Sequence, residues 1–82
     1  MRFFRVDVST RQDREGRRVP ESVILRGRGT PVAEILDQWQ EGGGPGRPEV
    51  AYFKVLCPDH GFLVLKYTKV FDAWAACEIR GL

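Results

Sequence analysis

Residues 50 to 67 constrain the fold more than any other stretch. Val50 to Cys57 alternates, with Ala51, Phe53, Val55 and Cys57 on one side and Tyr52, Lys54 and Leu56 on the other. A period of two marks a strand with one face buried. Pro58-Asp59-His60-Gly61 follows. Pro and Asp favour reversal, and Gly accepts the positive φ that a tight turn needs. Phe62 to Tyr67 then returns as the antiparallel partner. A chain of 82 residues has room for one domain, 1–82, and a small core. A chain this short buries only about 60–65% of the surface its unfolded form exposes. The two Trp, two Tyr and five Phe residues supply bulk for such a core.

The N-terminal third adds two strands. From Arg2 to Val8 the residues alternate, with Phe4, Val6 and Val8 toward a core and Arg5 and Asp7 toward water. Phe3 falls on the outer face with the charges. This strand is expected to end near Ser9. Thr10 to Arg18 has no apolar residue to anchor it and one Gly, and reads as a mobile charged loop, 10–18. Pro20 biases Val19 toward an extended backbone. Ser22 to Arg28 is the second strand, with Val23 and Leu25 on one face and Ile24, Arg26 and Arg28 on the other. Gly27 and Gly29 indicate a bulge, a bend or a tight exit from it.

Val32, Ile35, Leu36 and Trp39 recur at i, i+3, i+4 and i+7, which is one stripe of a helix. Thr30 suits the cap, Pro31 suits the first helical position, and Glu34 and Asp37 fall in the N-terminal half. The spacing predicts a helix over about 31–41 that docks its stripe on the sheet, with Trp39 as the largest anchor. A Gly/Pro-rich connection, 42–48, ends it. The last segment carries two patterns. Val70, Ala73, Trp74 and Cys77 have helical spacing, whereas Ala73, Ala75, Cys77 and Ile79 alternate with Trp74, Ala76 and Glu78 as in a strand. The strand is favoured because it extends the hairpin into a meander. The fold expected is mainly β with one short helix (α+β). Its sheet is a small, strongly curved antiparallel one, or a partly open barrel, of about five strands.

The order Arg26-Gly27-Arg28, Val32, Ile35-Leu36-Asp37-x-Trp39, a Gly-rich gap, Tyr52-Phe53-Lys54-Val55 and a late Trp74 resembles an uncharacterised family of small bacterial domains. Its pattern is a strand ending in Trp-x-Gly-Arg, then Val-x-x-Ile/Leu-Leu-Asp-x-Trp, then a Tyr-Phe-x-Val strand. The likeness covers roughly residues 20–80. Ile24-Leu25 stands where the family carries an aromatic, and Pro31 where a Tyr-like residue is common. Some similar segments are appended to proteins resembling error-prone DNA polymerases, which implies a link to DNA repair. The resemblance implies no activity and offers no catalytic residue.

Residue chemistry points away from catalysis. Cys57, His60 and Cys77 form the one candidate soft-metal set, and a structural zinc needs four ligands. Alternation sends Cys57 inward and leaves His60 at a turn tip, so convergence is poor and a zinc role is a minor alternative. The same geometry weakens a Cys–His nucleophile, because burial blunts a thiol. Glu34 and Asp37 suit a solvated face. The glycines at 42, 43, 44 and 46 precede no Lys-Ser/Thr pair, so they form no phosphate loop. No metal, cofactor or small-molecule substrate is evident, and the protein is not expected to be an enzyme.

Charge is more informative. The net charge is +2, but the basic residues concentrate early, as Arg2, Arg5, Arg11, Arg14, Arg17, Arg18, Arg26 and Arg28. Arginine suits bidentate contact with phosphate or carboxylate, although each of these also fits a solvated or ion-paired position. Phe3, Arg5, Arg17, Arg18, Arg26, Arg28, Tyr52 and Tyr67 are the candidate interaction surface. The leading expectation is a small module that binds a protein partner or homodimerises, because several strands carry apolar residues on both faces. The alternative is an accessory domain that binds single-stranded nucleic acid through the arginines and aromatics. No apolar run is long enough to cross a membrane, and no signal segment is evident, so a cytoplasmic location is expected.

Overall fold

A computed structural model describes residues 2–79. Its strands are β1 (Phe4–Gln12), β2 (Arg18–Leu25), β3 (Arg28–Pro31), β4 (Glu34–Glu41), β5 (Val50–Cys57), β6 (Gly61–Thr68) and β7 (Ala73–Glu78). They form one antiparallel sheet in the order β3-β2-β1-β7-β6-β5-β4, curled into a partly open half-barrel. Among the described residues the helical content is a single 3-10 turn, Lys69–Phe71.

The hairpin at the centre forms as the alternation requires. β5 and β6 pair from Val50 with Thr68 to Cys57 with Gly61. The His60 N–H donates to the Cys57 carbonyl at 2.9 Å, and Gly61 takes φ 115°. β7 is a strand, paired from Leu63 with Glu78 to Thr68 with Ala73. The inner face carries Val6, Val23, Phe53, Val55, Cys57, Leu63, Leu65 and Ala76 as a continuous core, with Val8, Leu25, Ile35 and Trp74 packed against it. Fully burying an aliphatic side chain contributes about 1.5–3 kcal/mol, so these residues dominate the stability.

Three expectations are corrected. The first is the helix at 31–41: Glu34–Glu41 is strand β4, which raises the strand number from about five to seven. The stripe arises from a bulge. The register with β5 shifts between Ile35 and Asp37, so Leu36 is an extra residue. Ile35 faces the core opposite Val55, and the next inward residue, Gln38 opposite Phe53, lies three positions on. A bulged strand thus mimics helical spacing. Thr30 caps nothing: it is buried in β3, and its hydroxyl meets the Arg28 carbonyl at 3.4 Å.

The second correction concerns 10–18. β1 runs on to Gln12 and β2 starts at Arg18, leaving only a turn at 13–17. Asp13 fixes that turn, its Oδ1 accepting the N–H groups of Glu15 and Arg17 at 2.9 and 2.8 Å. The third concerns Ser22 to Arg28. Arg26 (φ 51°) and Gly27 (φ 78°) reverse the chain between Leu25 and Arg28, which pair across the turn.

The two edges of the sheet are consecutive in sequence, and this shapes the interior. The Val32 N–H donates to the Glu21 carbonyl of β2 at 2.9 Å. The next residue, Ala33, donates to the Leu56 carbonyl of β5 at 2.9 Å. A single run from β3 to β4 therefore stitches the edges together at that point. Beyond it β4 follows β5, while β1 and β2 continue as a hairpin on the other side of the gap.

Candidate interaction surfaces

The gap is an open cleft of about 930 Å³. Its floor is aromatic. Trp74 lies between Phe53, at 5.9 Å between ring centres, and Tyr67, at 4.8 Å. These three follow from register, since Tyr67 pairs with Trp74 and both sit opposite Ala51 and Val6 on the inner face. One wall is Val8 and Thr10 of β1 with Arg17 and Arg18; the other is Gln38 and Gln40 of β4.

Most charges at the cleft are engaged. Arg18 donates from Nη1 to the Thr10 hydroxyl at 2.8 Å. Arg17 pairs with Asp13 at 3.4 Å and with Glu15. Lys69 Nζ lies 3.5 Å from Glu49 Oε2. The Tyr67 hydroxyl donates to Asp72 Oδ1 at 2.7 Å. That bond, helped by partial burial, raises the phenol above its ordinary value because ionisation would break it. Asp13 moves the other way, its carboxylate held low chiefly by the N–H of Arg17.

The outer face of the sheet carries a second feature. Register aligns Trp39 (β4), Tyr52 (β5), Lys66 (β6), Ala75 (β7) and Arg5 (β1) in one row across five strands. The Trp39 and Tyr52 rings stack nearly parallel, 5.2 Å apart and 7° from coplanar. Phe3 lies 6.4 Å from the Tyr52 ring, and Lys66 Nζ sits 5.3 Å from the centre of the Phe3 ring. Trp39 remains 37% exposed. Partial burial first, and the Glu41 carboxylate second, push the Tyr52 phenol up.

The expected surface residues therefore divide into three groups. Phe3, Arg5 and Tyr52 come together on the outer face. Tyr67, Arg17 and Arg18 meet at the cleft. Arg26 and Arg28 sit at the β2–β3 turn, at the opposite end of β2 from Arg18, and join neither group. Reading the sequence missed Trp39 as a surface residue, because the helical stripe sent it inward. It also missed Lys66, Trp74, Gln38 and Gln40. Alternation around Tyr52 would have exposed Lys66 had the residues been read as rows across the sheet.

The three residues of the zinc alternative are not brought together. Cys57 belongs to the inner core, whereas Cys77 pairs with Val64 on the outer face. The sheet itself separates the two thiols. His60 turns to Glu78, with Nε2 3.3 Å from Oε1. Burial, with a smaller contribution from Asp59, pushes the Cys57 thiol up, away from the thiolate that a metal or a reaction needs. Among the described residues no three His, Cys, Asp or Glu side chains group as metal ligands. No helix among them is long and apolar enough to cross a membrane. No protein-family model, curated protein or solved structure matches this chain.

Proposed function

We propose that the protein is a small non-enzymatic interaction module, and that its cleft receives an extended segment of a partner protein along the free edge of β4. The observation that carries this reading is the β4 edge, unpaired among the described residues, beside the partly exposed rings of Trp74 and Tyr67. Among the described residues β4 pairs with β5 alone. An extended segment added there gains main-chain hydrogen bonds from the edge, and alternate side chains reach Trp74 and Tyr67.

The charges on β4 say which segment fits. Glu34, Asp37 and Glu41 make the edge acidic, and the Asp37 carboxylate already accepts the Gln38 N–H at 2.9 Å. Such charges and a bulge are how sheets resist indiscriminate edge pairing. Antiparallel pairing of β4 with a second β4 is disfavoured in two of its registers. Centred between Asp37 and Gln38, it sets Glu34 against Glu41 of the other copy; centred on Trp39, it sets Asp37 against Glu41. Like charges directly opposite destabilise a strand pair. A basic segment with alternating apolar residues is the complementary partner.

Selection from a display library of random peptides tests the reading. Enriched sequences alternate apolar with Lys or Arg, and hydrogen exchange shows the Glu34–Glu41 amides slowed by the bound peptide. No enrichment, or protection confined to other strands, refutes it. A stable dimer of the protein in light scattering, with β4 protected in the absence of peptide, replaces the foreign segment by a second copy.

A further inference from the structure

The outer face carries a separate binding surface. We infer that the row Trp39–Tyr52–Lys66–Ala75–Arg5, with Phe3 lying over it, binds single-stranded nucleic acid. Base faces would stack on the rings, and phosphates would meet Lys66, Arg5 and the adjacent Lys54. Register puts the two rings on the outer face, although Trp39 and Tyr52 also border the cleft; the inference rests on the outer row and does not require a peptide in the cleft.

Three observations support it. First, the rings are placed by the sheet rather than by a mobile loop: Trp39 and Tyr52 are register partners and stack at 5.2 Å. Stacked rings with an outward face make a platform that any base can extend, since every base has a π face. Second, cations share that row. Lys66 is the register partner of Tyr52, and Arg5 aligns with it through Ala75. Lys54 stands two residues along β5 from Tyr52, on the same face. Third, the dimensions fit a strand of nucleic acid. Five strands span about 19 Å at the usual inter-strand spacing, room for a site of about four nucleotides.

Acidic groups define the polarity of the site. Asp37 and Glu41 flank Trp39 along β4, and Asp7 follows Arg5 along β1, all on this face. Phosphates are thus turned away from the Trp39 end, which offers only ring surface, and toward Lys66 in the middle of the row and Arg5 at its far end, with Lys54 beside them but facing Asp37 across the strand pair. A duplex presents phosphates but hides its base faces, so a platform of this kind favours the single strand. A protein ligand would use the rings without needing the cations, and the charge variants separate the two.

The test is fluorescence anisotropy with a labelled oligothymidylate of about 12 nucleotides and with the matching duplex. The single strand binds more tightly than the duplex. With three phosphate contacts, raising salt from about 50 to about 200 mM weakens binding roughly 20-fold. Trp39→Ala, Lys66→Glu and Arg5→Glu each weaken binding at least about tenfold at the lower salt, whereas Arg26→Asn binds as the wild type. Circular dichroism verifies the fold of each variant. The two charge reversals lie on exposed side of the sheet, so they carry the test if Trp39→Ala unfolds. Absence of binding at the lower salt, equal affinity for duplex, or wild-type affinity in both charge-reversal variants overturns the inference.

Discussion

The β2–β3 turn offers a sharp test of the architecture. Arg26 has φ 51° and Gly27 has φ 78°, and Leu25 pairs with Arg28 across them. Two successive positive φ values make a type I′ turn, for which Asn-Gly is the favoured pair. The left-handed region costs an ordinary L-residue roughly 1–2 kcal/mol, and Asn less, because its short side chain hydrogen-bonds locally. The Arg26 side chain is exposed, so little packing is lost with it. Arg26→Asn is therefore expected to stabilise the protein by about 0.5–1 kcal/mol. For a domain of this size that raises Tm by about 2–8 °C. Gly27→Ala is the converse. A Cβ there meets no atom within 4 Å, so the loss is conformational only, about 1 kcal/mol or more. Thermal and urea melts followed by far-ultraviolet circular dichroism measure both. An unchanged or lowered Tm for Arg26→Asn, together with a neutral Gly27→Ala, would mean that the strand runs straight on to Arg28 and that β3 does not exist.

Four other expectations follow from particular contacts. Leu63 is wholly buried, so Leu63→Ala should cost about 2–5 kcal/mol in urea unfolding. At Gly42, with φ 77°, a Cβ would run into the Pro48 carbonyl; Gly42→Ala should lower Tm well beyond the effect of Gly27→Ala. The Cys57 thiol, Tyr52 and Tyr67 all lie above their ordinary values. The unfolded chain therefore loses these protons first, and stability, full at neutral pH, should fall as pH rises through 9.0 for the thiol and 10.0 for the phenols. Cys57→Ala should flatten the first part of that fall in urea midpoints. Asp13 lies below its ordinary value, so its contribution is complete above pH 3.8 and lost as pH falls further; Asp13→Asn should speed amide exchange at Glu15 and Arg17 without altering the core.

What was legible in the sequence follows from which residues have a buried side. β5 alternates because its inner face builds the core, so a period of two survives there; β6, buried at Leu63, Val64 and Leu65 alike, was legible only as the return across the turn, and β7 only as its continuation into a meander. The far part of the β1–β2 hairpin was invisible for the opposite reason. From Ser9 to Gln12 β1 is mostly exposed and is held by backbone pairing to β2, whose Val19 and Pro20 supply the buried side, and periodicity cannot detect a strand that itself buries little. β4 misled because Leu36 is bulged out, which turns an alternating pattern into steps of three and four. Of the surface residues, Phe3, Arg5 and Tyr52 were recoverable, since the same alternation that sends Val6 and Phe53 inward sends them outward. Trp39 was hidden by the helical reading of its own strand. The clustering of Arg17 and Arg18 with Tyr67 depends on curvature, which no local pattern encodes.

That curvature also explains why the half-barrel stays open where it does. The run from β3 to β4 hydrogen-bonds to β2 through Val32 and to β5 through Ala33, but one strand cannot remain paired along both neighbours while it also connects them in sequence. Past Ala33 it must follow one of them. It follows β5, where Trp39 stacks on Tyr52 and Ile35 packs opposite Val55. The β1–β2 hairpin is then left with an unmatched flank, and Trp74 and Tyr67 lie beneath the resulting gap. The cleft is a consequence of joining consecutive edges with two residues. Any change that lets β4 pair along β2 instead must first break the Trp39–Tyr52 stack on the outer face. The inner and outer surfaces are therefore coupled through β4, and a ligand that orders this strand from one side should slow amide exchange measured along its whole length.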